Sequence, residues 1–120
     1  MKRPPPVPPF EPRLHLSPYA LFDRLAQGRP PVLVDLRPAG SALTLAGAAR
    51  DVPAAGDVVL FDDDGRLASD RARRLHAAGR RRVRALYGGL ELYDFALPAR
   101  VVGEERFLRR PQLPRAAPWR

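Results

Sequence analysis

Three consecutive carboxylates, Asp62, Asp63 and Asp64, followed by Gly65 and Arg66, form the densest group of chemically capable side chains in the sequence. Clustered oxygen ligands on a loop suit a hard cation such as Mg²⁺ or Ca²⁺, and a carboxylate there can serve a metal-dependent hydrolase as ligand or nucleophile. Consecutive residues do not all turn towards one ion without help from backbone carbonyls or water. No matching remote carboxylate pair is evident, though Asp35 is expected at an adjacent strand end. A plainer role competes with metal binding. Aspartate ahead of a helix is a good N-cap, its charge suits the positive end of the helix, and Asp-Gly is a turn signal.

The other candidates stand alone. His15 sits between Leu14 and Leu16 and reads as a structural strand histidine, while His76 falls late in a helical pattern, where a protonated ring would complement the helix dipole. Two histidines and no cysteine leave no set of zinc ligands. Ser41 and Ser69 have no triad context. Arg80, Arg81 and Arg82, with Arg84, make the densest basic patch. Such a patch can contact nucleic-acid phosphates with a steep salt dependence, or can be a solvated loop after a helix C-terminus. No aromatic residues interleave with it, so base stacking is not indicated.

The elements that would position these residues alternate along the chain. Arg13 to Leu16 is a strand candidate. Ser17 then Pro18 is an N-cap followed by proline at the first helical position; Leu21, Phe22 and Leu25 give one apolar face, and Gly28 ends the helix. Val32 to Leu36 and Val58 to Phe61 are continuous apolar runs, as expected of strands buried on both faces of a parallel sheet. Arg66 to Ala78 is helical, with Ala68, Ala72, Leu75 and Gly79 on one face and an Asp70–Arg74 i,i+4 pair on the other. Val83 to Leu86 is a further strand, and Gly88-Gly89 turns into a short helix through Phe95. This order predicts an α/β domain with a central, mainly parallel sheet of about five strands flanked by helices.

Residues 1–12 are proline-rich (Pro4, Pro5, Pro6, Pro8, Pro9 and Pro12) and read as an extended polyproline II arm that packs through Val7 and Phe10. The domain proper is expected over 13–97. Residues 98–120 form a proline- and arginine-rich tail whose Phe107, Leu108 and Trp119 give it something to bury, against the domain or against a partner. The 120 residues carry a net charge of +8, and only one of the 21 basic residues is lysine. The arginines are spread along the chain, which argues more for a compositional bias than for a dedicated nucleic-acid stripe. No apolar run approaches membrane-spanning length and no apolar segment follows Lys2 and Arg3, so a cytoplasmic protein is expected. The lack of cysteine excludes disulfides and thiolate chemistry.

In order, these motifs resemble the rhodanese-like family over roughly residues 14–96. Val34-Asp35-Leu36-Arg37 is similar to the family's strand ending in V-D-V-R, and Gly47-Ala48 to the G-A that follows its H-I-P. Val58 to Phe61 resembles the strand that delivers the active-site loop. Gly65-Arg66 falls where the C-x-x-G-x-R-S loop has its glycine, and Gly88-Gly89-Leu90 with Tyr93 looks like the G-G-x-x-x-W ending. The resemblance implies the three-layer rhodanese-like fold, with Asp62 at the position of the catalytic cysteine. The loop reads Asp62-Asp63-Asp64-Gly65-Arg66-Leu67-Ala68. Leu43 to Ala46 occupy the neighbourhood of the missing histidine, and the segment from Arg37 to Gly47 is shorter than usual.

These departures decide the functional expectation. Sulfur transfer needs a soft thiolate to carry the sulfane sulfur, and the fold's phosphatase relatives need the same cysteine; a carboxylate oxygen replaces neither. Like charges about 4 Å apart repel by roughly 1 kcal/mol in water and more where shielded, so three adjacent carboxylates disfavour thiosulfate, phosphate or arsenate. Arg66 offsets only part of that charge. The Asp62 carboxylate would instead act as a built-in anion in the loop's nest of N–H groups. The expectation is a non-catalytic binding or regulatory module with a protein partner or a self-association surface, and with no cofactor. A hydrolase using Asp62 to Asp64, and a basic nucleic-acid binder, are the alternatives.

Overall fold

The computed structural model describes residues 8–38, 41, 43–98 and 106–109. In chain order the elements are β1 (His15–Leu16), α1 (Pro18–Ala26), β2 (Val32–Asp35), β3 (Thr44–Leu45), β4 (Val58–Phe61), α2 (Arg66–Ala77), β5 (Val83–Leu86), α3 (Gly89–Ala96) and β6 (Leu108–Arg109). A four-stranded sheet runs in the order β1-β5-β4-β2, every pair parallel, and β3 and β6 form a separate antiparallel pair.

β4 is buried along its whole length because the sheet carries apolar layers on both faces. Val59 and Phe61 point to one side, with Leu33 of β2 and Leu86 of β5, and meet Leu21 and Leu25 of α1 and Leu90 and Tyr93 of α3. Val58 and Leu60 point to the other, with Val34, Val83 and Ala85, and meet Ala68 and Ala72 of α2. The alternation is that of any strand; here both sets of side chains find a helix. Alanines on the packed face of α2 let that helix lie close to the strands. α1 begins as its sequence dictates: Pro18 is at the first helical position and the Ser17 hydroxyl accepts from the Ala20 N–H at 3.1 Å.

Two features differ from the sequence expectation. The sheet has four strands among the described residues, not about five. Beyond β2 only Ala49 adds to it, through a single parallel bridge to Val34 with hydrogen bonds to the β2 backbone of 2.7 and 3.0 Å. The flanking Gly47-Ala48 and Arg50-Asp51 lack the β-branched or aromatic run that would extend that bridge into a strand. The strand expected over Arg13 to Leu16 is also shorter, because Leu14 and His15 donate to the Glu11 carbonyl in a turn that consumes its start.

Residues 106–109, assigned by sequence to the tail, lie against the domain. β6 pairs with β3, the fully buried Tyr93 donates its hydroxyl to the Arg106 carbonyl at 2.8 Å, and Phe107 packs edge-on against Phe22. Of the proline-rich ends, Met1 to Val7, residues 99–105 and residues 110–120, Trp119 among them, fall outside the described residues. No helix among the described residues is long and apolar enough to cross a membrane.

Candidate functional site

The acidic loop leaves the C-terminal end of β4 and runs directly into α2. Asp62 is 6% exposed, and its carboxylate turns back into the loop. Oδ1 accepts from the Gly65 N–H at 2.7 Å and Oδ2 from the Leu67 N–H at 2.9 Å. Both donors belong to the start of α2, where the first backbone N–H groups have no partner within the helix. Gly65 itself has a φ of +89° and offers no side-chain cap, so Asp62 performs that task from three residues upstream.

The loop's main chain serves a second helix. The carbonyls of Asp62 and Asp63 accept from the N–H groups of Leu90 and Glu91, both at 2.9 Å, so the first turn of α3 is satisfied by the acidic loop. This requires backbone to touch backbone. A Cβ on Gly89 would lie 2.5 Å from the Asp63 carbonyl, and one on Gly65 would lie 3.1 Å from the Gly88 nitrogen. Gly65 and the Gly88-Gly89 pair are therefore matched in space, although 23 and 24 residues separate them in the chain.

The three carboxylates diverge. Asp63 is exposed and pairs with Arg37 at 3.0 Å, while Asp64 accepts from the Arg66 N–H and faces the exposed Arg66 guanidinium at 3.6 Å. Leu67 is exposed and Ala68 is fully buried against the sheet. No group of three histidine, cysteine or acidic side chains among the described residues is placed to hold a metal ion.

Asp35 and Arg37 meet one strand away. Arg37 makes two parallel bonds to the Asp35 carboxylate, Nε to Oδ1 and Nη2 to Oδ2, both 3.0 Å, and its own backbone N–H donates to Oδ1 at 2.9 Å. Thr44 donates its hydroxyl to Oδ2 at 2.8 Å, and Arg37 also donates to the Leu43 carbonyl. The guanidinium lies 5.8 Å from the centroid of Phe61. Burial works to raise the Asp35 pKa, but the hydrogen bonds from Arg37 and Thr44 outweigh it and hold the carboxyl below its ordinary range. The bonds that Arg37 donates to Asp35, with further help from Asp63, raise its pKa against the desolvation it also suffers. Asp62 moves the other way. Burial dominates and Asp64 adds repulsion, so its pKa is raised despite the backbone donors.

Beside the loop, Arg37, Leu43, Asp63, Leu90, Glu91 and Asp94 line a cleft of about 400 Å³. Its rim is acidic, although Asp94 is paired with Arg106 at 2.8 Å. An anion entering it would share the cleft with the Asp63 and Glu91 carboxylates and with an Arg37 already bonded to Asp35, Asp63 and Leu43. Ser41, half-buried, belongs to the same wall and donates to the Pro38 carbonyl.

The basic patch lies at the other end of the sheet. Arg82 gives its carbonyl to the Val58 N–H, at the start of β4, and its exposed guanidinium is paired with Asp57 at 2.8 Å. Arg80 is half-buried, Arg81 is exposed, and Arg84 is half-buried within β5. They do not share a site with Asp62. His76 faces the Val83 carbonyl at 2.6 Å, which ties α2 to β5.

One association was invisible in the sequence. His15 and Ser69, 54 residues apart, are both buried and lie 3.0 Å apart, Nε2 to Oγ. The pair is not a nucleophile with its base. The Glu11 N–H donates to Nδ1, which leaves the ring proton on Nε2 facing the serine, where a base would present a lone pair.

No protein-family model, curated protein or solved structure matches the chain.

Proposed function

We propose that this chain is a rhodanese-like domain in which Asp62 fills the position of the catalytic cysteine, and that it works as a non-catalytic binding or regulatory module for a protein partner or a second copy of itself. The observation that carries this reading is the seat of the Asp62 carboxylate. It lies at the end of a central parallel strand and takes the N–H groups of Gly65 and Leu67 that a bound anion would otherwise use. A side chain held in this way is spent on the loop. Its oxygens are hard, carry no stable persulfide, and face inwards to the helix start. The order of strand, glycine loop, helix and Gly-Gly turn supports the family reading, as does the parallel sheet with helices on both faces. The divergence of Asp62, Asp63 and Asp64 weighs against a hydrolase centre, and the pairing of Arg82 with Asp57 weighs against a nucleic-acid surface. A cytoplasmic setting and the absence of a cofactor belong to the same reading.

The test is anion binding at the loop. Wild-type protein mixed with thiosulfate and cyanide is expected to produce no thiocyanate above the buffer rate. Asp62→Ala empties the nest, so thiosulfate or sulfate is expected to raise the unfolding midpoint of the variant by a few degrees and leave the wild type unmoved. Protein-dependent thiocyanate formation, or equal stabilisation of both proteins by thiosulfate, would overturn the reading.

A further inference from the structure

The segment from Pro8 to Glu11 leads towards β1, an edge strand of the sheet, and is fastened by one histidine and two aromatic rings. His15, 2% exposed, uses its two nitrogens in opposite senses. Nδ1 accepts the Glu11 backbone N–H at 3.0 Å, and Nε2 donates to Ser69 Oγ at 3.0 Å. The imidazole lies 5.3 Å from the Tyr87 ring and 5.8 Å from Phe10. Phe10 packs edge-on against Tyr87 at 5.1 Å, and the Tyr87 hydroxyl donates to the Pro8 carbonyl. The Glu11 carboxylate reaches Arg73 of α2.

We propose that His15 is a proton-operated catch: a proton on Nδ1 turns the acceptor of the Glu11 N–H into a second donor, and releases Pro8 to Phe10 from their seat on Tyr87 while the sheet stays folded. Two N–H groups cannot share the 3.0 Å gap that one N–H and one lone pair now span. The bonds joining β1 to β5, from the Ala85 and Tyr87 N–H groups to the Leu14 and Leu16 carbonyls, involve no titrating atom, and neither do those from the Leu14 and His15 N–H groups to the Glu11 carbonyl, so Glu11 is the hinge. Opening would therefore stop at the strap. It would also remove Phe10 from one wall of an apolar groove of about 390 Å³ that Pro18, Tyr19, Tyr87 and Leu92 otherwise line.

The charges around the ring set where the catch acts. Burial opposes the imidazolium, the Glu11 carboxylate on the strap favours it, and Arg73 on α2 opposes it; Ser69 of α2 and the Tyr87 ring after β5 are the other groups that face it. The net direction is a pKa below the usual histidine value. Linkage then has a definite sign. The contribution of neutral His15 to stability is fully present above about pH 6.5 and is lost as the pH falls from there through the lower native pKa.

The test is an NMR titration of the intact chain from neutral to mildly acid pH. It follows the His15 ring nitrogens, the exchange protection of the Glu11 amide and the Phe10–Tyr87 ring contacts. The expected result is a neutral His15 protonated at Nε2, followed by a fall of at least about tenfold in Glu11 protection and loss of the ring contacts at the His15 midpoint. The amides of Val58 to Phe61 are expected to stay protected throughout. An Nδ1-protonated ring at neutral pH, a strap that stays in place through the His15 midpoint, or loss of protection in β4 at that midpoint would each overturn the proposal. Glu11→Gln sharpens it, because the N–H remains while the charge goes. His15 is expected to titrate at lower pH and strap opening to move with it; an opening midpoint that does not follow His15 would refute the coupling.

Discussion

Asp35 and Asp62 stand at the C-terminal ends of adjacent strands, and each is 6% exposed. In the register of β2 on β4, Asp35 lies opposite Phe61, the residue immediately before Asp62. Two aspartates so alike in type, depth and position would be expected to titrate alike, yet burial and partners drive them in opposite directions. Asp35 faces a full countercharge, the two-pronged guanidinium of Arg37, with a hydroxyl and a backbone N–H added. Asp62 has only backbone dipoles, and a like charge at Asp64 nearby. Depth alone therefore does not fix the state of a carboxylate. A counterion compensates for lost water where a pair of peptide dipoles does not fully do so.

Breaking the first arrangement should have the larger effect. Arg37→Leu leaves Asp35 buried with its main cation gone, and a loss of about 3–5 kcal/mol is expected in urea unfolding. That is a sizeable share of the roughly 5–15 kcal/mol available to a domain. The carboxyl resonance of Asp35 should then titrate above its ordinary range, and unchanged stability would show that Thr44 and the backbone suffice without the guanidinium. Asp62→Ala removes an acceptor from two N–H groups at a helix start and should cost less, about 1–3 kcal/mol by the same measurement. A gain in stability would mean that desolvating the carboxylate costs more than its two bonds return.

The smallest effect is the most diagnostic, because it differs in sign. The depressed pKa of Asp35 gives stability that is present above the unfolded value near 3.9 and is lost as the pH falls through the native pKa. The raised pKa of Asp62 does the reverse: protonation relieves a penalty, so its contribution improves as the pH falls through the native pKa towards 3.9. The stability difference between wild type and Asp62→Ala should therefore widen on mild acidification, while that between wild type and Arg37→Leu should narrow. No single group can impose a slope above about 1.4 kcal/mol per pH unit. Parallel slopes in the two difference curves would refute the contrast.

Val58 to Phe61 could be read from the sequence because a strand buried on both faces leaves a continuous apolar run, while Val83 to Leu86 kept three apolar residues around the half-buried Arg84. The Ser17-Pro18 helix start and the Asp70–Arg74 pair, at 3.0 Å, were legible because their partners lie within one helical turn. β3 and β6 were not, since two residues each carry no periodicity. The seat of Asp62 was anticipated from turn chemistry, but the contact of Arg37 with Asp63 spans 26 residues and that of His15 with Ser69 spans 54. Distances of that kind belong to the folded topology rather than to any local pattern. The histidine and the serine, read separately, gave no hint of each other.

The meeting of Gly65 with Gly88 and Gly89 has a consequence for protein engineering. The path of the chain from Asp62 to Gly65 is held twice, by main-chain contacts with the start of α3 and by the Asp62 carboxylate on the Gly65 and Leu67 N–H groups. Position 62 is thus a socket braced from two sides: the bonds to α3 anchor its main chain, and the carboxylate closes it from within.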